Sequence, residues 1–268
     1  MYRLKYLIVA ILMAFILEFQ TACGPEGNEQ HSDSTKVTPA PQTSQTQASN
    51  FDENTDYFLP TELIYSQQAD KVLKDKFYPI GWSGDGKFAY IVEEVDEGCG
   101  CYFFKIAIQD LHTDKLVWNW KFNDQGKSED IKTVWSKNYD DFKKQLKQFK
   151  IVQQTKFSLG GVRFAYQNED FTLSMETKTK QDKDFGLDVV TETYIRIQSA
   201  KQGTKTIYQY IEQGASVVLS ASVAGYLQSP YENRIVVIHF DERRGYEGPP
   251  NVITIKLAGC QLSGNFKN

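Results

Sequence analysis

Four groups of residues in this 268-residue chain have the types and spacing that chemistry requires. Cys99-Gly100-Cys101 puts two thiols either side of a residue without a Cβ. Such thiols could close a small ring, or face one soft metal as thiolates with Cys260 as a third ligand. Glu93, Glu94, Asp96 and Glu97 form an acidic run. It could supply oxygen ligands to calcium or, together with Asp241, the paired carboxylates of a hydrolase. His239 and Asp241 are two residues apart in a strand pattern and so share a face, where they could serve a serine such as Ser222 or Ser229. Finally, Arg243-Arg244-Gly245-Tyr246-Glu247-Gly248-Pro249-Pro250 sets two guanidinium groups and an aromatic ring in a loop fixed by glycine and proline.

Each group has a plainer reading. No G-x-S-x-G elbow is present to expose a serine nucleophile, so His239 reads as a strand histidine. His112, in Leu111-His112-Thr113-Asp114-Lys115, reads as part of a turn. The acidic run lacks the alternating Asp/Asn and closing Glu of a calcium loop and reads as a solvated hairpin connection, as does Asn123-Asp124-Gln125-Gly126. Cofactor and metal motifs are not evident, and none is expected. The arginine loop either recognises something or pairs with the acidic loop as surface charge. Without a catalytic constellation, binding is favoured over catalysis; an exported hydrolase working through Glu93, Glu94 or Asp241 is the alternative.

Strands must position these residues. Phe104, Ile106 and Ile108 alternate with Lys105, Ala107 and Gln109; Phe171, Leu173 and Met175 alternate with polar residues, as do Ile195 and Ile197, and Ile253, Ile255 and Leu257. A period of two predicts antiparallel sheets with one wet face. Between residues 128 and 150 the spacing turns helical: Ile131, Val134 and Trp135, then Tyr139, Phe142, Leu146 and Phe149. Ser128 opens the segment, Asp140 and Asp141 start its second stripe, and Lys147 and Lys150 end it, in the sense the helix dipole favours. The reading is a helical pair, or one bent helix, covering a sheet.

An internal repeat joins two of the groups. Gly81-Trp82, the turn Ser83-Gly84-Asp85-Gly86-Lys87 and the strand ending in Glu93-Glu94 lead through a loop to Tyr102–Ile108. Gly225-Tyr226, the turn Ser229–Arg234 and the strand ending in Asp241-Glu242 lead through another to Val252–Leu257. Trp82-Ser83-Gly84-Asp85-Gly86-Lys87 is similar to the W-S-P-D-G-K turn of periplasmic β-propeller repeats, with Gly84 in place of Pro. The segment from Phe77 to Trp120, with Arg243–Pro250, resembles uncharacterised families of predicted secreted bacterial proteins, which implies an exported β-rich domain. The expected fold is mainly β: antiparallel sheets of blade-like units, as a partial propeller or a sandwich, with one helical insertion. Trp82, Tyr102, Arg243, Arg244 and Tyr246 are the candidate binding residues.

The N-terminus states a location. Arg3 and Lys5 precede the apolar run Tyr6–Leu17, then Thr21-Ala22 and Cys23. That is the grammar of a secretory signal, and the run is about half the ~20 apolar residues of a spanning helix. A cysteine at the cut resembles the lipobox of bacterial lipoproteins, although Gln20 stands where Leu is usual. The resemblance implies a signal peptide over 1–22 and acylation of Cys23, palmitate included. Residues 24–50, rich in Ser, Thr, Gln, Asn and Pro, have too little apolar surface to order themselves and read as a tether of about 30 Å average reach. Residues 51–268 are expected to form one domain. Gly24 rather than Asp after the cysteine implies the outer membrane or cell surface in a cell with two membranes. Formal net charge is −4, or about −5 without the signal's Arg3, Lys5 and Glu18, so no basic footprint for nucleic acid exists. The expected partners are the bilayer, through Cys23, and a protein, glycan or envelope component. In an oxidising setting Cys99, Cys101 and Cys260 are candidates for a disulfide: a bridge from the loop to Cys260 would tie the first β unit to the last, and a Cys99–Cys101 ring is the competing pairing.

Overall fold

A computed structural model describes residues 51–66, 72–124, 129–183, 186–246 and 248–267. They fall within one compact unit, Pro39–Asn268. The signal, Cys23, the tether, Ser128 and Glu247 lie outside the described residues.

The domain is mainly β, with several antiparallel sheets, one curled into a half-barrel, and two short helices. Sheet I has the order β5 (Lys115–Asp124), β4 (Tyr102–Asp110), β3 (Lys87–Glu94), β2 (Lys76–Trp82), β6 (Val152–Gln153). Sheet II has the order β1 (Val72–Lys74), β13 (Asn251–Gln261), β12 (Arg234–Arg243), β11 (Val218–Gln228). Sheet III has the order β10 (Gly203–Ile211), β9 (Asp188–Ser199), β8 (Glu169–Gln181), β7 (Arg163–Tyr166). Neighbours pair antiparallel except β1 and β13, which run parallel.

Three hydrophobic cores order these sheets into layers. Ile80, Ala89, Ile91, Phe104 and Ile106 of sheet I pack against Val134, Trp135, Phe142 and Leu146 from α1 (Ile131–Lys137) and α2 (Tyr139–Gln148). The opposite face of sheet I, with Phe77, Phe88, Tyr90 and Val92, meets Val236, Ile238, Phe240 and Ile253 of sheet II. The far face of sheet II, with Ile235, Val237 and Cys260, meets Phe171, Leu173, Ile195 and Ile197 of sheet III.

This stacking corrects the expectation of one wet face. It holds for sheet III, where exposed Ser174 and Glu176 alternate with buried Leu173 and half-buried Met175. It fails for β3 and β12, whose Phe88–Val92 and Ile235–Phe240 are buried continuously because both faces are covered. The helical segment is a pair rather than one bent helix. Asp130 caps α1 by accepting from the Thr133 N–H at 2.7 Å, and Asn138 sits at the break between the two helices.

The internal repeat is a repeat of structure. β2–β3–β4 and β11–β12–β13 are both three-stranded meanders, and their first strands carry a bulge directly before Gly81 and Gly225. Their turns close alike: Ser83 N–H donates to Lys87 O at 3.0 Å, and Ser229 N–H to Arg234 O at 2.9 Å. Gly86, at φ +81°, supplies the left-handed residue expected of the Asp-Gly turn. The two meanders pack face to face, so the loops leaving β3 and β12 come to one side of the domain.

Candidate functional site

Those two loops lock to each other. Glu97, three residues past β3, accepts from both terminal nitrogens of Arg243 at the end of β12, Nη1 at 3.0 Å and Nη2 closer. It also accepts from the Tyr246 backbone N–H at 3.1 Å. The Arg243 guanidinium, against some opposition from burial, holds the Glu97 carboxyl below its ordinary range, and the Tyr246 N–H adds to this.

Asp75 anchors the base of the site. It occupies the crossing from β1 in sheet II to β2 in sheet I and is 3% exposed. One carboxylate oxygen accepts from Val95 N–H and the other from Ile255 N–H, both at 3.1 Å, so it staples the acidic loop to β13. Burial pushes its pKa up to about 6, with the two N–H groups and Arg243 working against that shift.

Asp96 shapes the next four residues. Its oxygens accept from the backbone N–H groups of Gly98, Cys99, Gly100 and Cys101 at 2.9–3.2 Å. Desolvation raises its pKa, but these four donors prevail and hold it below the ordinary carboxylate range. Gly100 has φ +67°, a conformation that costs it nothing and lets the chain reverse between the cysteines. Cys99 and Cys101 are disulfide-bonded across a Cα separation of 5.2 Å.

Together the loops frame a cleft of about 880 Å³. Val95–Cys99 form one wall and Arg243–Tyr246 the other, with Phe103 and Val217 contributing apolar surface. Val217 arrives through register: its carbonyl accepts from Arg244 N–H at 3.2 Å. The Tyr246 ring projects into solvent, 88% exposed.

Of the candidate binding residues, Arg243, Arg244 and Tyr246 are brought together here. Trp82 is not a binding residue: it is 0% exposed in the core between sheets I and II, 4.6 Å from the Phe88 ring. Tyr102 is half-buried on the helix side of sheet I, where its hydroxyl donates to Glu93 at 2.8 Å. Both are aromatics next to turns that packing claimed.

The carboxylates proposed for hydrolysis do not converge. Glu93 is buried on the helix side, accepting from Tyr78 and Tyr102, with Lys76 Nζ at 3.5 Å. Asp241 is buried on the far side of sheet II, paired with Lys256 beside Tyr208. Two sheets separate them, and Glu94 is exposed.

His239 has no partner at either ring nitrogen among the described residues. Its ring lies 4.5 Å from that of Tyr208, and burial, with Lys256 opposite, depresses its pKa to about 3. It serves no serine. Ser229 Oγ accepts from the Tyr231 and Glu232 N–H groups of its own turn, and Ser222 pairs with Phe240, whose side chain faces away from His239.

Cys260 corrects the long-bridge expectation. It is a free thiol, 2% exposed in the core between sheets II and III, its pKa pushed up to about 11 chiefly by burial. It pairs with Ile235, eight residues along β12 from Arg243, or roughly 26 Å at strand rise. That span rules out both a disulfide to the loop and a three-cysteine metal set. A closer set is Asp96, Cys99 and Cys101, with ligand atoms within 4.8 Å of one another, but bonded sulfurs offer no thiolate.

Sequence reasoning missed Asp75, Phe103 and Val217. Asp75 stands between Lys74 and Lys76, which reads as solvated charge, and Val217 carries no local signal at all. Compared with protein-family models, curated proteins and solved structures, the chain matches none.

Proposed function

We propose that this chain is an extracytoplasmic lipoprotein, anchored to a membrane through Cys23, whose β domain binds a partner protein, glycan or envelope component in the cleft between Val95–Cys99 and Arg243–Tyr246. The arginine and acidic loops do pair as surface charge, through Glu97 and Arg243, and the observation that carries the binding reading beyond that pairing is the cleft the two loops frame, with the exposed Tyr246 ring on its wall. Rigid framing lowers the ordering cost of binding, and the cleft volume falls within the ~300–1,000 Å³ of ligand sites. Tyr246 adds an exposed ring that can stack on a sugar or fill a partner's pocket. The anchoring half rests on the basic start, the short apolar run and Thr21-Ala22-Cys23. The hydrolase alternative has no shared carboxylate site among the described residues.

The test uses the full chain in intact cells. A photo-crosslinking residue at position 217, on the apolar wall of the cleft, is expected to capture one specific partner or envelope ligand, and Tyr246→Ala added to that chain to weaken capture at least tenfold, the effect of removing a central aromatic anchor. No specific adduct, with Tyr246→Ala neutral, overturns the binding reading. Separately, Cys23→Ser is expected to block processing and labelled-palmitate incorporation; normal cleavage and membrane retention overturn the anchor.

A further inference from the structure

We propose that the Cys99–Cys101 pair is a thiol–disulfide exchange site acting on the cysteines of a polypeptide held in the cleft. The proposal rests on the binding reading above and narrows its ligand to a protein chain carrying thiols.

Three observations carry it. First, the bond adds little as a brace. A disulfide stabilises by the loop it closes, and this one encloses Gly100 alone. Second, the loop is held without it. Asp96 binds the N–H groups of Gly98, Cys99, Gly100 and Cys101, and Asp75 holds Val95, so opening the S–S bond leaves the backbone bonded in place. Third, the bond is accessible. Cys99 and Gly100 are exposed, Cys101 is partly so, and Cys99 lines the cleft alongside Phe103, Val217 and Tyr246. Exchange depends on access to the attacked sulfur. Cys260, sealed in the core, provides an inert internal reference.

The step balances as follows. A substrate thiolate attacks Cys99 Sγ; a substrate–Cys99 disulfide forms, the Cys99–Cys101 bond breaks, and Cys101 leaves as a thiolate that takes a proton from water. A second substrate thiolate then attacks the substrate sulfur of the mixed disulfide, closing the substrate's own disulfide and releasing Cys99. Two electrons pass from the substrate dithiol to the cysteine pair, once per chain. A low-molecular-weight disulfide restores the oxidised pair by the reverse sequence.

The test incubates the full chain with a synthetic peptide carrying two reduced cysteines, and in parallel with reduced glutathione, with every cysteine assigned by peptide mass mapping. One equivalent of peptide disulfide per chain is expected, with thiols appearing at Cys99 and Cys101. Transfer should run at least tenfold faster with peptide than with glutathione at equal thiol, and Tyr246→Ala should remove that advantage. With the same peptide supplied in its disulfide form, the Cys99 thiolate of Cys101→Ser is expected to attack it and hold the peptide as a mixed disulfide, releasing the second peptide thiol, and Cys99→Ser to trap at least tenfold less on Cys101. If the bond survives excess of both thiols in the folded protein, the exchange site is overturned, while the binding reading keeps its own crosslinking test. Equal rates with both thiols, unchanged by Tyr246→Ala, overturn the cleft as the seat of the polypeptide.

Discussion

A histidine with neither ring nitrogen bonded among the described residues, packed on Tyr208 and facing Lys256, stays neutral in the folded chain and takes a proton in the unfolded one. With its pKa depressed from 6.5 to about 3, His239 contributes stability that is intact above pH 6.5 and lost as pH falls towards 3. Asp75 has the opposite sign. Its pKa is raised from 3.8 to about 6, so its contribution is intact below pH 3.8 and lost as pH rises through 6. Between about pH 4 and 6 the two slopes, each about 1.4 kcal/mol per pH unit at most, oppose one another. The pH slope of the wild-type urea midpoint is therefore expected to lie between those of variants lacking one or the other group. His239→Phe should uncover stability that rises on acidification, and Asp75→Asn stability that falls. Two variants with the same pH slope would refute both assignments. Neither residue announces this in the sequence, because burial of a lone histidine or of an acid between lysines is decided by what stacks above it. Arg243 and Tyr246 were legible because glycine and proline around them mark a loop that packing does not claim.

At the scale of elements, α2 sets Phe142 among the aromatic rings of the helix-side core. Phe142 is 1% exposed, stacked on Phe104 at 6.0 Å and edge-on to Trp120 at 5.2 Å, with Trp135 at 5.6 Å. Phe142→Ala leaves an aromatic-sized void among these rings and is expected to cost about 3–5 kcal/mol in urea unfolding. Asp130→Ala, which removes the α1 cap, should cost about 1 kcal/mol. A ratio near one would mean that the helices are not held by that core. These helices could be read from the sequence because Tyr139, Phe142 and Leu146 keep a spacing of three and four between acidic and basic ends. Strands β3 and β12 were harder. Alternation marks two faces but does not say that the second is covered, and in both strands the covering sheet comes from the other copy of the repeat.

For the molecule as a whole, the parallel pairing of β1 with β13 joins positions about 180 residues apart, Val72 with Asn251. Strand β13 also supplies Ile253 to one core and Cys260 to the next. A chain ending at Gly248 is expected to remain protease-sensitive where the full chain becomes resistant, and equal resistance would show that β13 is dispensable. This closure sets an order in time. Contacts of such long span form late, since the loop between them must first be gathered. A chain delivered from its N-terminus can build the β2–β4 meander early, but that sheet waits with Phe88, Tyr90 and Val92 uncovered until the last strands arrive. During that interval the half-made domain is at its stickiest, so whatever delivers this protein must release it promptly or shield that one face.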